Sequence, residues 1–89
     1  MNNEENLILI KKIFRIKSFL YDNKLVRAYS DICALETKIS RELSNEGMVD
    51  LYRKFIIPIK TDIEEGHTIF AWKRCETLLD YIGFKKEEI

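Results

Sequence analysis

The chain has little of what most chemistry and most small β-folds require. Its 89 residues include three glycines, one proline, one histidine and two cysteines. So few glycines and prolines argue against the turn-rich sequence of a β-sandwich or barrel. Two cysteines, Cys33 and Cys75, are too few for a disulfide framework. Both fall on apolar helical faces, so reduced, buried thiols in a cytoplasmic protein are expected. One histidine, His67, and two distant cysteines give neither the ligand number nor the spacing of a zinc site. His67 sits between Gly66 and a helix start, where a solvated turn residue is expected. No P-loop, G-x-G-x-x-G or G-x-S-x-G occurs. The sequence therefore predicts no metal, no cofactor and no enzyme, because no nucleophile, base and orienting group can be assembled.

Charge of one sign is also missing: fifteen basic residues balance fifteen acidic ones. No global field steers the chain to nucleic acid or anionic membrane. The balance is uneven along the chain, since residues 1–30 hold six bases and three acids. No apolar run approaches a membrane span. Glu4 and Glu5 stand where a secretory leader would carry bases, and Lys11 and Lys12 interrupt the apolar run, so no leader is expected.

What remains is an ordinary hydrophobic content, 46%, arranged at helical spacing within a single domain, 1–89. Helix 1 is predicted over Glu4 to Tyr21, with Asn2 or Asn3 as cap. Leu7, Leu9, Ile10, Ile13, Phe14, Ile16, Leu20 and Tyr21 form a broad apolar surface that needs more than one neighbour. Asp22 or Asn23 suits the cap of helix 2, which runs from about Lys24 to Asn45 with Leu25, Tyr29, Ile32, Ile39 and Leu43 on one face. Gly47, in "SNEG", is expected to end it in a left-handed conformation. Helix 3 covers Met48 to Glu65, with Leu51, Phe55, Ile59 and Ile63 spaced by four. Pro58 either kinks this helix or opens a second one after a stop near Ile57; the unbroken phase of the stripe favours the kink. Gly66 closes it, Thr68 caps helix 4, and Ile69 to Ile82 carries a core face of Ala71, Trp72, Cys75, Leu78, Leu79 and Ile82, ended by Gly83. Phe84 can fold back, and "KKEEI" reads as a solvated tail. The fold class is all-α: a compact antiparallel four-helix bundle with the third helix kinked at Pro58.

Three groups stand out from this framework. Glu36 lies inside the apolar stripe of helix 2, so it needs a salt bridge or tyrosine hydrogen bond, or else it faces an interface with another chain. Phe70, Arg74 and Tyr81 share a second face of helix 4. Aromatic residues flanking an arginine have the composition of an interface anchor, although a central helix burying both sides would give the same pattern. Lys11, Lys12, Arg15 and Lys17 on helix 1 are candidate phosphate contacts, or simply a solvated face.

The order of elements, the turn "RELSNEGM", the short turn "EEGHT" and a last helix containing "CETLLDYIG" resemble the helical immunity proteins that protect producers of pediocin-like bacteriocins. That resemblance implies a cytoplasmic antiparallel bundle acting on the bacteriocin's membrane receptor complex. The expected function is a non-enzymatic protein-binding module of immunity, antitoxin or inhibitor type. It would occlude a partner protein, with Phe70, Arg74 and Tyr81 as anchors and Glu36 as a polar contact. The alternatives are a nucleic-acid binder using the basic side of helix 1 and a self-assembling subunit whose partner is a second copy of the chain.

Overall fold

The computed structural model describes residues 3–43 and 46–83, and every element among them is helical. Helix α1 is Asn3–Tyr21 and α2 is Leu25–Ser40. Helix α3 spans 46–64: it is α-helical over Glu46–Leu51, π-helical over Tyr52–Ile56, and α-helical again over Ile57–Glu64. Helix α4 is Thr68–Tyr81.

Each helix packs against two others, so the four form a closed ring of seams in the order α1, α2, α3, α4. The polar pairs across the seams give the directions. Tyr29 meets Glu64 while Glu36 meets Lys60 across α2 and α3. Asp62 meets Arg74 while Phe55 meets Tyr81 across α3 and α4. In both cases numbers rise on one helix as they fall on the other, which is the antiparallel packing that short connections impose. The Cα radius of gyration is 12.3 Å, close to the roughly 12 Å expected for a compact chain of this length.

The predicted spacing accounts for the core. Leu9, Ile13, Ile16 and Leu20 of α1 are buried, with Ala28, Ile32, Leu35 and Ile39 of α2. Helix α3 contributes Met48, Leu51, Phe55, Ile56, Ile59 and Ile63, and α4 contributes Ala71, Cys75, Leu78 and Leu79. Each fully buried aliphatic side chain is worth about 1.5–3 kcal/mol. The broad surface of α1 is covered from two sides, by α2 and α4, yet Leu7, Phe14 and Tyr21 stay on the outside.

Pro58 leaves its mark one turn upstream. The Ile57 N–H donates to the Tyr52 carbonyl, five residues back instead of four. This widened turn supplies room where the proline ring would press on the preceding turn. The helix therefore neither stops nor restarts, and its stripe remains on the core.

The helix ends differ from the sequence reading in three ways. First, Asn23 closes α1 and does not cap α2. It takes φ 59°, with the Asn23 N–H on the Leu20 carbonyl and the Lys24 N–H on the Phe19 carbonyl. That double bond pattern satisfies the orphan carbonyls of α1 and leaves α2 without a side-chain cap. Second, the same pattern at Gly66, φ 76°, ends α3 and makes His67 the residue before α4, so Thr68 is helical and not a cap. Third, α2 stops at Ser40, and Gly47 sits inside the first turn of α3. Asn2, Asn45, Phe84 and "KKEEI", which carried the remaining expectations, lie outside the described residues.

Candidate functional site

The α1–α2 turn and the α3–α4 turn lie at the same end of the bundle. Among the described residues, the four most exposed large apolar side chains belong to this end: Val26 (85% exposed), Tyr21 (82%), Ile69 (69%) and Phe70 (58%). They arise for a simple reason. Each follows or precedes a tight helix reversal, where the chain leaves the core and the next helix has not yet packed.

Beside them, the end of α1 and the start of α4 diverge around an open groove of about 380 Å³. Leu20, Tyr21, Asn23, Thr68, Ile69 and Trp72 line it. A mostly apolar concavity with a few polar groups is the ordinary form of a binding site. Contiguous exposed apolar surface is uncommon on a monomer that binds nothing. The Lys17 ammonium lies beyond Trp72 in the α1–α4 seam, 4.6 Å above the indole and 5.6 Å from the Phe14 ring. It also pairs with Glu76 at 3.8 Å. These contacts fix the indole that forms part of the groove wall.

The sequence-predicted anchors separate in space and in role. Phe70 is exposed, with its ring edge-on to His67 at 5.7 Å. Arg74 is turned toward α3: its Nε donates to Asp62 Oδ2 at 2.6 Å. Asp62 is buried, its side chain only 11% exposed against 47% for Arg74, so the arginine neutralises an acid inside the α3–α4 seam. Tyr81 packs against Phe55 with ring centroids 5.0 Å apart and planes tilted by 48°, at the opposite end of α4. Glu36 pairs with Lys60 at 3.0 Å in the α2–α3 seam, the salt bridge that its position on the stripe demanded. The hydrogen bond to Glu36 raises the Lys60 ammonium above its ordinary range.

The basic group of α1 is also divided. Lys11 and Lys12 are exposed. Arg15 pairs with Asp31 of α2 at 2.9 Å and lies over Phe19. Lys17 is buried in the seam just described. The four therefore do not form one phosphate-facing surface.

Cys75 is buried, and removal from water pushes its thiol up to about 12, with Lys17 opposing the shift. A thiol of that kind is not a nucleophile near neutral pH. Cys33 is only partly buried, contrary to expectation, because α2 turns its position toward the open edge of the α2–α3 seam beside Tyr29 and Lys60. His67 is exposed in its turn and pairs with Glu65 at 3.4 Å. Among the described residues, no three histidine, cysteine or acidic side chains converge. No helix there is long and apolar enough to cross a membrane.

No family model, curated protein or solved structure matches the chain. The functional reading rests on this geometry. Sequence reasoning missed Ile69 as a surface residue and placed Tyr21 on the inward apolar surface of helix 1; Trp72, placed on the core face of helix 4, does pack partly buried against the core and also lines the groove. The signal available was the position of Tyr21 and Ile69 at helix ends, next to residues marked for turns.

Proposed function

We propose that the protein is a non-enzymatic binding module that occludes a surface of a partner protein, in the manner of an immunity, antitoxin or inhibitor protein of the cytoplasm. The observation that carries this reading is the exposed Tyr21 and Ile69 that line the apolar groove, with Val26 and Phe70 exposed at the same end of the bundle. Aromatic and aliphatic anchors around a concavity are what interface hot spots are made of. Of the anchors expected from sequence, Phe70 belongs to this surface. Arg74 and Glu36 serve the fold through their ion pairs, and Tyr81 sits at the other end of α4.

The test is capture of host proteins by the tagged chain compared with the Ile69→Glu and Tyr21→Ala variants. Both residues are exposed, so far-ultraviolet circular dichroism should be unchanged. Partners retained by the wild type should be lost from both variants. Equal capture by all three would remove the groove from the reading.

A further inference from the structure

We infer that the α1–α4 face binds a second copy of the chain, antiparallel and two-fold related, with Leu7 of each copy entering the groove of the other. The spacing on α1 shows what kind of element fits. Leu7, Phe14 and Tyr21 are exposed and stand seven residues apart. Seven residues return a helix to within about 20° of its starting direction, so the three form one stripe about 20 Å long. Ile10 and Lys17 follow the first two by three residues, and both pack inward beside the stripe. That is the seam of a coiled coil, and what fits such a seam is another helix lying along it. On α4, Ile69, Lys73, Glu76 and Asp80 fall at i, i+4, i+7 and i+11, so they form one edge. Glu76 meets Lys17, and Ile69 lines the groove with Tyr21, so this edge borders the α1 stripe in a continuous face.

The face is complementary to itself. Leu7 and Tyr21 lie equally far either side of Phe14. A two-fold axis through Phe14 sets that ring on its counterpart and brings Leu7 of one copy level with Tyr21, and with the groove, of the other. Charge follows the same axis. Within each copy, Lys17 meets Trp72 and Glu76, while Leu20 and Tyr21 lie with Thr68 and Ile69. Positions on α4 fall as those on α1 rise, so Phe14 stands at about the height of Glu76. The axis therefore brings Lys73 of one copy level with Asp80 of the other, twice. Both are exposed, and neither has an ion-pair partner among the described residues. Glu76, at the axis, is held by its own Lys17. Glu4 comes to the turn that carries the second copy's Lys24, and Lys11 comes beside the second copy's Ser18. Asp22 lies against the first turn of the second copy's α1, where the helix dipole favours an acid. Parallel docking would instead set Lys73 on Lys73 and Asp80 on Asp80, which complementarity disfavours.

A face two helices wide and about 20 Å long is at the small end of interface sizes, so the dimer should form at roughly 100 µM. Sedimentation equilibrium of the full chain measures it. Trp72 is the only tryptophan and lines the groove, so its emission should move to the blue over the same concentration range. Leu7→Glu, at an exposed position, should abolish both signals and leave the circular dichroism unchanged. Lys73→Asp alone and Asp80→Lys alone each set like charges together at two places. Each should weaken self-association about tenfold or more. Mixed in equal amounts, the two variants restore opposite charges at both places, so the mixture should associate as tightly as the wild type.

A monomer at about 1 mM overturns the inference. So does a dimer that survives Leu7→Glu. A dimer equally strong in Lys73→Asp, in Asp80→Lys and in their mixture refutes the antiparallel register and overturns it as well. The Lys73 and Asp80 variants read the dimer alone. Partner capture lost in Ile69→Glu but kept in both of them therefore leaves the binding-module reading in place, whatever the dimer does.

Discussion

Replacing Arg74 by alanine should destabilise the fold, and the size of the effect can be worked from the Asp62 contact. The Asp62 carboxylate is almost wholly enclosed and receives a 2.6 Å bond from the guanidinium. Truncating the arginine leaves a buried acid short of its charged donor. A hydrogen bond to a charged group contributes about 1.5–3 kcal/mol net. Arg74 itself is half exposed, so water takes over part of its role and the lower half of that range, about 2 kcal/mol, is expected. For a domain of this size the melting temperature should fall by roughly 8–16 °C. Asp62→Ala alone should cost less, because the freed arginine can swing into water. The double variant should lose little more than Asp62→Ala, giving a coupling of about 1–2 kcal/mol in a double-mutant cycle. Urea unfolding followed by circular dichroism at 222 nm measures all four species. Additivity of the two single changes within about 0.4 kcal/mol would refute the claim that the pair acts as a unit.

The two thiols should separate cleanly. At pH 8, Ellman's reagent should modify one thiol per native chain, and peptide mapping should place it at Cys33, with Cys75 reacting only after denaturation. Since burial holds Cys75 in its neutral form up to about 12, the unfolded chain releases this proton first as pH rises. The contribution is intact below about pH 8.5, the ordinary thiol value, and drains away between there and about 12. Cys75→Ala should flatten the alkaline fall in stability over that window, and an unchanged slope would count against the assignment. Gly66→Ala should cost about 1 kcal/mol by forcing a side chain into left-handed backbone, with no clash contributing because the space beside Gly66 is open. Gly66→Asn should recover part of that loss, measured by the same urea midpoints.

Helix positions and most of the core were legible because burial follows spacing: the i, i+4 run Leu51, Phe55, Ile59 and Ile63 was enough to orient α3, and all four are buried. The ends were less legible, because several residue types compete for each cap. Asn23 suits both a helix start and a left-handed helix end, and only the five-residue bond from Lys24 to Phe19 decides between them. Polar roles were harder still. Asp62 sits one position before Ile63 on the inner side of α3, and an acid there demands a base. Which base answers depends on the neighbouring helix, so Arg74 read as an anchor and proved to be the counter-ion. Lys17 was grouped with its sequence neighbours, although it falls about 120° from Lys11 on a helical wheel and enters the α1–α4 seam.

The π turn in α3 gives that helix one residue of slack. In an unbroken α-helix, Ile59 would fall about 80° away from Leu51, and the lower half of α3 would rotate its oily side off the core. The extra residue absorbed over Tyr52–Ile56 reduces the offset to about 20°, which is also why Phe55 and Ile56 can both be buried although they are adjacent. The chain could therefore be shortened by one residue here without turning the helix. Excising Lys54, whose only ion pair among the described residues is the exposed one with Asp50, should yield a straight α3 with the same inward surface, provided Pro58 becomes alanine so that the ring no longer needs the wider coil.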